Sequence, residues 1–112
     1  MESKVYITQD NRKNYSQASK FGEPRFVTDL EFSDVKNSRS NSEIRSQITD
    51  LAEVYNPNYD YILLSGDPVI LFLTGLELGK ILKKHGFVRI LKWSSQDRLY
   101  VEIIIKENLL TD

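Results

Sequence analysis

The chain has 112 residues, of which 40% are hydrophobic and 28% charged, so it suits one globular domain with one modest core. It has no cysteine, which excludes disulfides, thiolate metal sites and cysteine nucleophiles. The formal net charge of −1 does not select for nucleic acid, and the charge-free stretch from Pro68 to Leu76 is far too short to cross a bilayer. No basic-then-apolar start of the signal-peptide kind is present, so a cytoplasmic location without membrane contact is the expectation.

In chain order, Val5 and Ile7 alternate with Lys4, Tyr6 and Thr8, the period of a half-buried strand. Asp10 to Asn14 is polar and turn-like. Ser16 to Phe21 predicts one short helical turn, closed by Gly22 and Pro24. Arg25 to Leu30, centred on Phe26 and Val27, predicts a second strand. The stretch from Glu31 to Asn41 is rich in Ser, Asn, Asp and Arg, with Phe32 and Val35 as its apolar anchors; it predicts an exposed, flexible loop over 31–41.

A first helix follows. Ser40 with Glu43 three residues on has the capping-box spacing, and Ile44, Ile48, Leu51, Ala52 and Tyr55 share one helical face. Asn56-Pro57-Asn58 ends it, because proline cannot continue the hydrogen-bond ladder. Asp60 to Ser65 is apolar on consecutive positions, as a strand covered on both faces requires. A second helix spans Pro68 to His85. Asp67 caps it, Pro68 suits the first position, Lys83, Lys84 and His85 complement the negative end of the dipole, and Gly86 suits the C′ position. Its first turns, Val69 to Leu73, are apolar all round, which predicts deep burial of that end. Gly75 and Gly79, one turn apart, predict a flat stripe where another backbone can approach. Phe87 to Trp93 and Leu99 to Lys106 are two further strands, joined by Ser94-Ser95-Gln96-Asp97 as an antiparallel hairpin. Leu99, Val101, Ile103 and Ile105 share one face of the last strand, and the tail from Glu107 is expected to fray.

This order predicts a single small α/β domain over residues 1–112. Its sheet is mixed, mostly parallel and of about five strands, with two main helices and a C-terminal β-hairpin at the edge.

Ligands of open α/β sheets bind beyond the carboxyl ends of the strands, which nominates Ser65, Gly66 and Asp67, with Asp29 at a neighbouring strand end. The helix start beside them suits an anion, but Asp67 uses part of that donor set and adds a negative charge. There is no dinucleotide fingerprint and no phosphate loop, so a hydroxyl or amine held by Asp67 fits better than a phosphate, and the same residues also serve as a plain turn and cap. Asp29 with Glu31, and Asp60 with Asp67, are carboxylate pairs of a kind that binds Mg²⁺ or does acid–base work; Asp is equally a common turn residue. His85 is the sole histidine, which rules out a multi-histidine zinc site. No cofactor, metal site or catalytic residue is therefore assigned.

Charge is uneven. Phe26 to Asp60 holds seven acidic and three basic residues; Lys80 to Arg98 holds six basic residues and one acidic. Within the basic stretch, Lys92, Trp93, Arg98 and Tyr100 form the best binding signal. Aromatics between cations stack bases while the cations hold phosphates, and the same types anchor protein interfaces. Trp93 also suits a cap on the core at the sheet edge.

The block Val5-Tyr6-Ile7-Thr8-Gln9-Asp10 with Phe21-Gly22-Glu23, and the block Leu64-Ser65-Gly66-Asp67-Pro68 followed by Leu91-Lys92-Trp93 and Tyr100, resemble a set of small bacteriophage-encoded proteins without an assigned activity. The resemblance covers most of the chain in order and departs from 31 to 41. It implies a viral origin and a role in the cytoplasm of an infected bacterium, and carries over no catalytic residue.

The leading expectation is a non-enzymatic binding module that docks on a host or viral macromolecule or on itself, with Lys92, Trp93, Arg98, Tyr100 and the last strand as the contact. One alternative is nucleic-acid binding through residues 80–98. The other is a small ligand-binding or enzymatic domain with its site at 65–67.

Overall fold

The computed structural model describes residues 2–31 and 39–110. Its elements are β1 (Lys4–Gln9), β2 (Glu23–Thr28), α1 (Arg39–Val54), β3 (Tyr61–Leu63), α2 (Pro68–His85), β4 (Phe87–Ser94) and β5 (Leu99–Lys106). A 3₁₀ turn at Ser16–Lys20 joins β1 to β2. The strands form one five-stranded sheet in the order β2-β1-β3-β4-β5. The first four run parallel and β5 pairs antiparallel with β4 from Phe87–Lys106 to Ser94–Leu99. The expected α/β class, mixed sheet, two helices and C-terminal hairpin are all present.

The alternation along the strands sorts the core into two layers. On the helical face, Ile62 and Val88 meet Leu51 and Tyr55 of the α1 end and Leu78, Ile81 and Leu82 of α2. On the opposite face, Val5, Ile7, Leu63 and Leu91 meet Tyr15 and Ala18 from the 3₁₀ segment. Ile44 and Ile48 of α1 pack with Ile70 of α2, and Leu73 lies against them. α1 lies towards the β2 edge and α2 towards β4.

The α2 boundaries coincide with the expected ones. Asp67 accepts the Val69 N–H at 2.8 Å, and Gly86 sits at φ 86° with its N–H on Leu82 O, the left-handed C-cap that glycine permits without strain. β2 begins earlier than expected and includes Pro24, which an edge strand tolerates. β3 is shorter, because the chain turns away at Leu64 towards the helix start. α1 begins at Arg39, so Ser40 lies inside its first turn rather than at its cap. Of the expected loop over 31–41, residues 32–38 lie outside the described residues. The tail forms a 3₁₀ turn at Glu107–Leu110, entered by a Glu107 N–H bond to Gly86 O.

One expectation is overturned. The first turns of α2 are not deeply buried: Val69 is 45% exposed and Phe72 66%, and Leu76 one turn on is 54% exposed. The sheet lies beneath α2 and α1 beside it, so among the described residues no element covers its remaining side.

Candidate functional site

The carboxyl ends of the parallel strands gather most of the nominated residues. β1 leads to β2 on one side and its other neighbour is β3, so the strand order reverses between β1 and β3, where open α/β sheets place their ligand crevice. Here that crevice is filled by the protein itself. Thr8 Oγ1 accepts the Ser65 N–H at 2.8 Å and donates to Ser65 O. Gln9 Oε1 accepts the Asp67 N–H at 2.7 Å, and its Nε2 donates to Leu30 O at 2.7 Å.

Ser65 is buried, and its hydroxyl shares a 2.9 Å hydrogen bond with the Tyr15 hydroxyl, which also accepts the Asn11 N–H. Gly66 adopts φ 108°. A Cβ there would lie 2.5 Å from the Gln9 Cβ and closer still to its amide oxygen, so glycine is required both by conformation and by space. Asp67 is held as the α2 cap. A shallow polar hollow lined by Gln9, Arg12, Glu31, Gly66 and Asp67 opens beside it. Asp29 is exposed and does not line that hollow. Asp60, expected as a partner of Asp67, lies at the opposite end of β3, where it accepts the Lys4 and Asn56 N–H groups. Among the described residues, no group of three or more His, Asp or Glu side chains is placed to hold a metal ion.

A second cleft, of about 480 Å³, forms because β3 stops at Leu63 while β4 runs on to Ser94. It is predominantly apolar and takes Tyr15, Leu64 and Ser65 on one side and Lys92, Trp93 and Tyr100 on the other. Trp93 and Tyr100 are direct cross-strand partners, their rings edge to face at 69° with centroids 5.0 Å apart. Tyr100 is half-buried, and burial raises its hydroxyl pKa above the usual value, with the neighbouring Tyr15 adding to the effect. Trp93 is 45% exposed, and Lys92 is exposed. Ser65 from the strand-end set and Lys92, Trp93 and Tyr100 from the hairpin set therefore share one cleft. Gly66, Asp67, Asp29 and Arg98 lie outside it. Arg98 is exposed in the hairpin turn, in the left-handed region at φ 54°.

The basic residues of 80–98 do not form one surface. Lys80 pairs with Glu77 at 3.1 Å. The Arg89 guanidinium stands 5.5 Å above the Tyr61 ring and 3.9 Å from Glu102. Lys83 and Lys84 follow α2 to the end of the sheet where β4 begins, opposite the end that carries Lys92 and Arg98.

The family described as Phage Pam3 gp32-like protein matches residues 3–107. The chain belongs to this family. The match spans both halves of the cleft, from Tyr15 to Tyr100, and agrees with the phage resemblance carried by the Leu64 to Pro68 and Leu91 to Trp93 blocks. No curated protein and no solved structure matches the chain. Among the described residues, no helix is long and apolar enough to cross a membrane.

Thr8, Gln9 and Tyr15, which shape both strand-end sites, were not nominated from sequence. The one local signal, for Thr8 and Gln9, is Thr8-Gln9-Asp10, polar residues closing an apolar strand; the roles of all three depend on contacts fifty or more residues away.

Proposed function

We propose that this phage-encoded chain is a non-enzymatic binding module that docks on a host or viral protein in the host cytoplasm. The Trp93–Tyr100 cleft receives an apolar side chain of the partner, and Lys92 meets acidic groups at its rim. The observation that carries this reading is the aromatic pair itself: a half-exposed tryptophan braced edge-on by a tyrosine, lining an apolar cleft. Rigid aromatics of this kind dominate interface energetics when a partner covers them. Beside the cleft, β5 is an edge strand that, among the described residues, pairs with β4 alone, and its outer side can add a partner strand. The division of the basic stretch between two ends of the sheet makes nucleic acid the weaker reading.

The test is affinity capture from lysate of the phage's host, with and without nuclease, using the full chain and its Trp93→Ala variant. One stoichiometric protein that survives nuclease and is lost with Trp93→Ala, while the variant keeps its thermal midpoint within a few degrees, supports the reading. Capture that disappears on nuclease treatment transfers the function to nucleic acid. Equal capture by the variant, or a collapse of its stability, removes Trp93 as a contact. Nothing captured in either arm moves the function to a small ligand at Ser65, Gly66 and Asp67 or to self-assembly.

A further inference from the structure

The outer face of α2 is built for contact that the chain does not itself provide. A helix that is apolar all round is normally covered on all sides. Here Ile70 and Leu73 face α1, Leu78, Ile81 and Leu82 face the sheet, and Val69, Phe72 and Leu76 are left open to solvent. Gly75 and Gly79 lie on the same open side, turned away from α1. A Cβ added at either meets nothing within 4 Å, so packing inside the chain does not require glycine there. Each costs the helix about 1 kcal/mol relative to alanine.

We propose that α2 is a homodimer interface in which two copies of this chain pack antiparallel about a two-fold axis crossing between Gly75 and Leu76. The sequence of α2 is self-complementary in that arrangement. Phe72 of each copy stands at the height of Gly79 of the other and fills the space its missing side chain leaves. Gly75 of each copy stands level with Leu76 of the other, so the two leucines flank the axis and each lies over a glycine. Such reciprocal contacts are the signature of an isologous interface. Charge fixes the direction. The N-terminal end of α2 carries Asp67 and the C-terminal end carries Lys83 and Lys84, so antiparallel packing brings opposite charges together and parallel packing would oppose like ones.

The area argument extends the contact. A stable dimer buries about 800 Å² per partner, more than three side chains supply. The glycines tilt the interface towards the β5 side of α2. There Leu99, Ile103 and Ile105 stay exposed on the helical face of the sheet, where among the described residues no third helix lies above them. Ile103 and Ile105 also line the Trp93–Tyr100 cleft, so the two surfaces adjoin there, but no residue of α2 lines that cleft.

The experiment is sedimentation equilibrium of the full chain over a wide concentration range, with Gly75→Gln/Gly79→Gln and Leu76→Cys variants. The expected result is a wild-type dimer and a glutamine variant that is monomeric with a raised thermal midpoint at low concentration, because both substitutions favour the helix. Leu76→Cys, in a chain with no other cysteine, should give an oxidised disulfide dimer, whereas Arg25→Cys on the far edge should not. A wild-type monomer at every concentration, a dimer undisturbed by the glutamines, or equal crosslinking at both cysteine positions would each overturn the proposal.

Discussion

Gln9 and Gly66 occupy one another's space at the turn out of β3. The Gln9 side chain crosses the position where residue 66 would carry a Cβ, and from there accepts the Asp67 N–H at the start of α2. Strand β1 thus fixes where the chain leaves β3 and where the helix begins.

Gly66→Ala should therefore destabilise the fold for two separable reasons. The left-handed backbone costs a Cβ-bearing residue about 1–2 kcal/mol, and the collision with Gln9 adds about 1–3 kcal/mol of overpacking. Urea unfolding of Gly66→Ala, Gln9→Ala and the double variant should reveal a coupling energy between them. The double variant should regain only the part of the collision cost that the Gln9 amide causes, because alanine keeps the Cβ that would stand 2.5 Å from the new one, and none of the backbone cost. Strict additivity would show that the two residues do not compete for space.

Thr8→Val keeps the side-chain shape but removes the hydroxyl that bonds both the N–H and the C=O of Ser65. Both groups lie in the core, so the loss should be about 1–3 kcal/mol, the range for an orphaned buried polar group. Thr8→Ser should recover most of it. If valine proves neutral, water reaches Ser65 and the β1–β3 junction is more open than its geometry indicates.

Local signals were enough to read most of this architecture. Asp67, Pro68 and Gly86 mark the bounds of α2 by capping chemistry that acts within one turn. Leu99 to Lys106 alternates cleanly and pairs as expected with β4. What stayed illegible depends on distant partners. Val69 and Phe72 read as buried because an apolar helix end normally is, yet burial depends on how many layers surround the helix, and the sheet supplies helices for only part of its width. Ser65 reads as a strand-end residue and Trp93 as a hairpin anchor; that they share one cleft follows from β3 ending before β4, which sequence does not fix to the residue.

Arg98 tests whether the hairpin turn trades stability for a side chain. It holds a left-handed φ of 54°, a conformation glycine adopts freely. Arg98→Gly should raise the unfolding free energy by up to about 1 kcal/mol, while Arg98→Ala, which keeps the Cβ, should gain nothing. Lost partner capture in both variants with no loss of stability would assign the guanidinium to the interface. A less stable glycine variant would instead show that Arg98 makes contacts that support the turn.

Tyr55 extends the β3–β4 ladder with a side chain. Its hydroxyl accepts the Arg89 N–H at 2.9 Å and donates to Arg89 O at 3.4 Å, just before the strands begin to pair. Burial, the largest cause, pushes its pKa from 10.0 up to about 12, against a smaller lowering by the bond from the Arg89 backbone. The folded state therefore favours the neutral phenol. Its contribution to stability is complete below pH 10, where the unfolded chain also keeps the proton, and is lost as pH rises through about 12. Tyr55→Phe leaves the Arg89 N–H without its partner and should cost about 1–2 kcal/mol at neutral pH. Lysine deprotonation is common to both proteins, so the gap between them isolates Tyr55. Measured by denaturant titration, that gap should narrow steadily from pH 10 towards pH 12. A constant gap would mean that the Tyr55 hydroxyl does not titrate differently in the folded and unfolded chains.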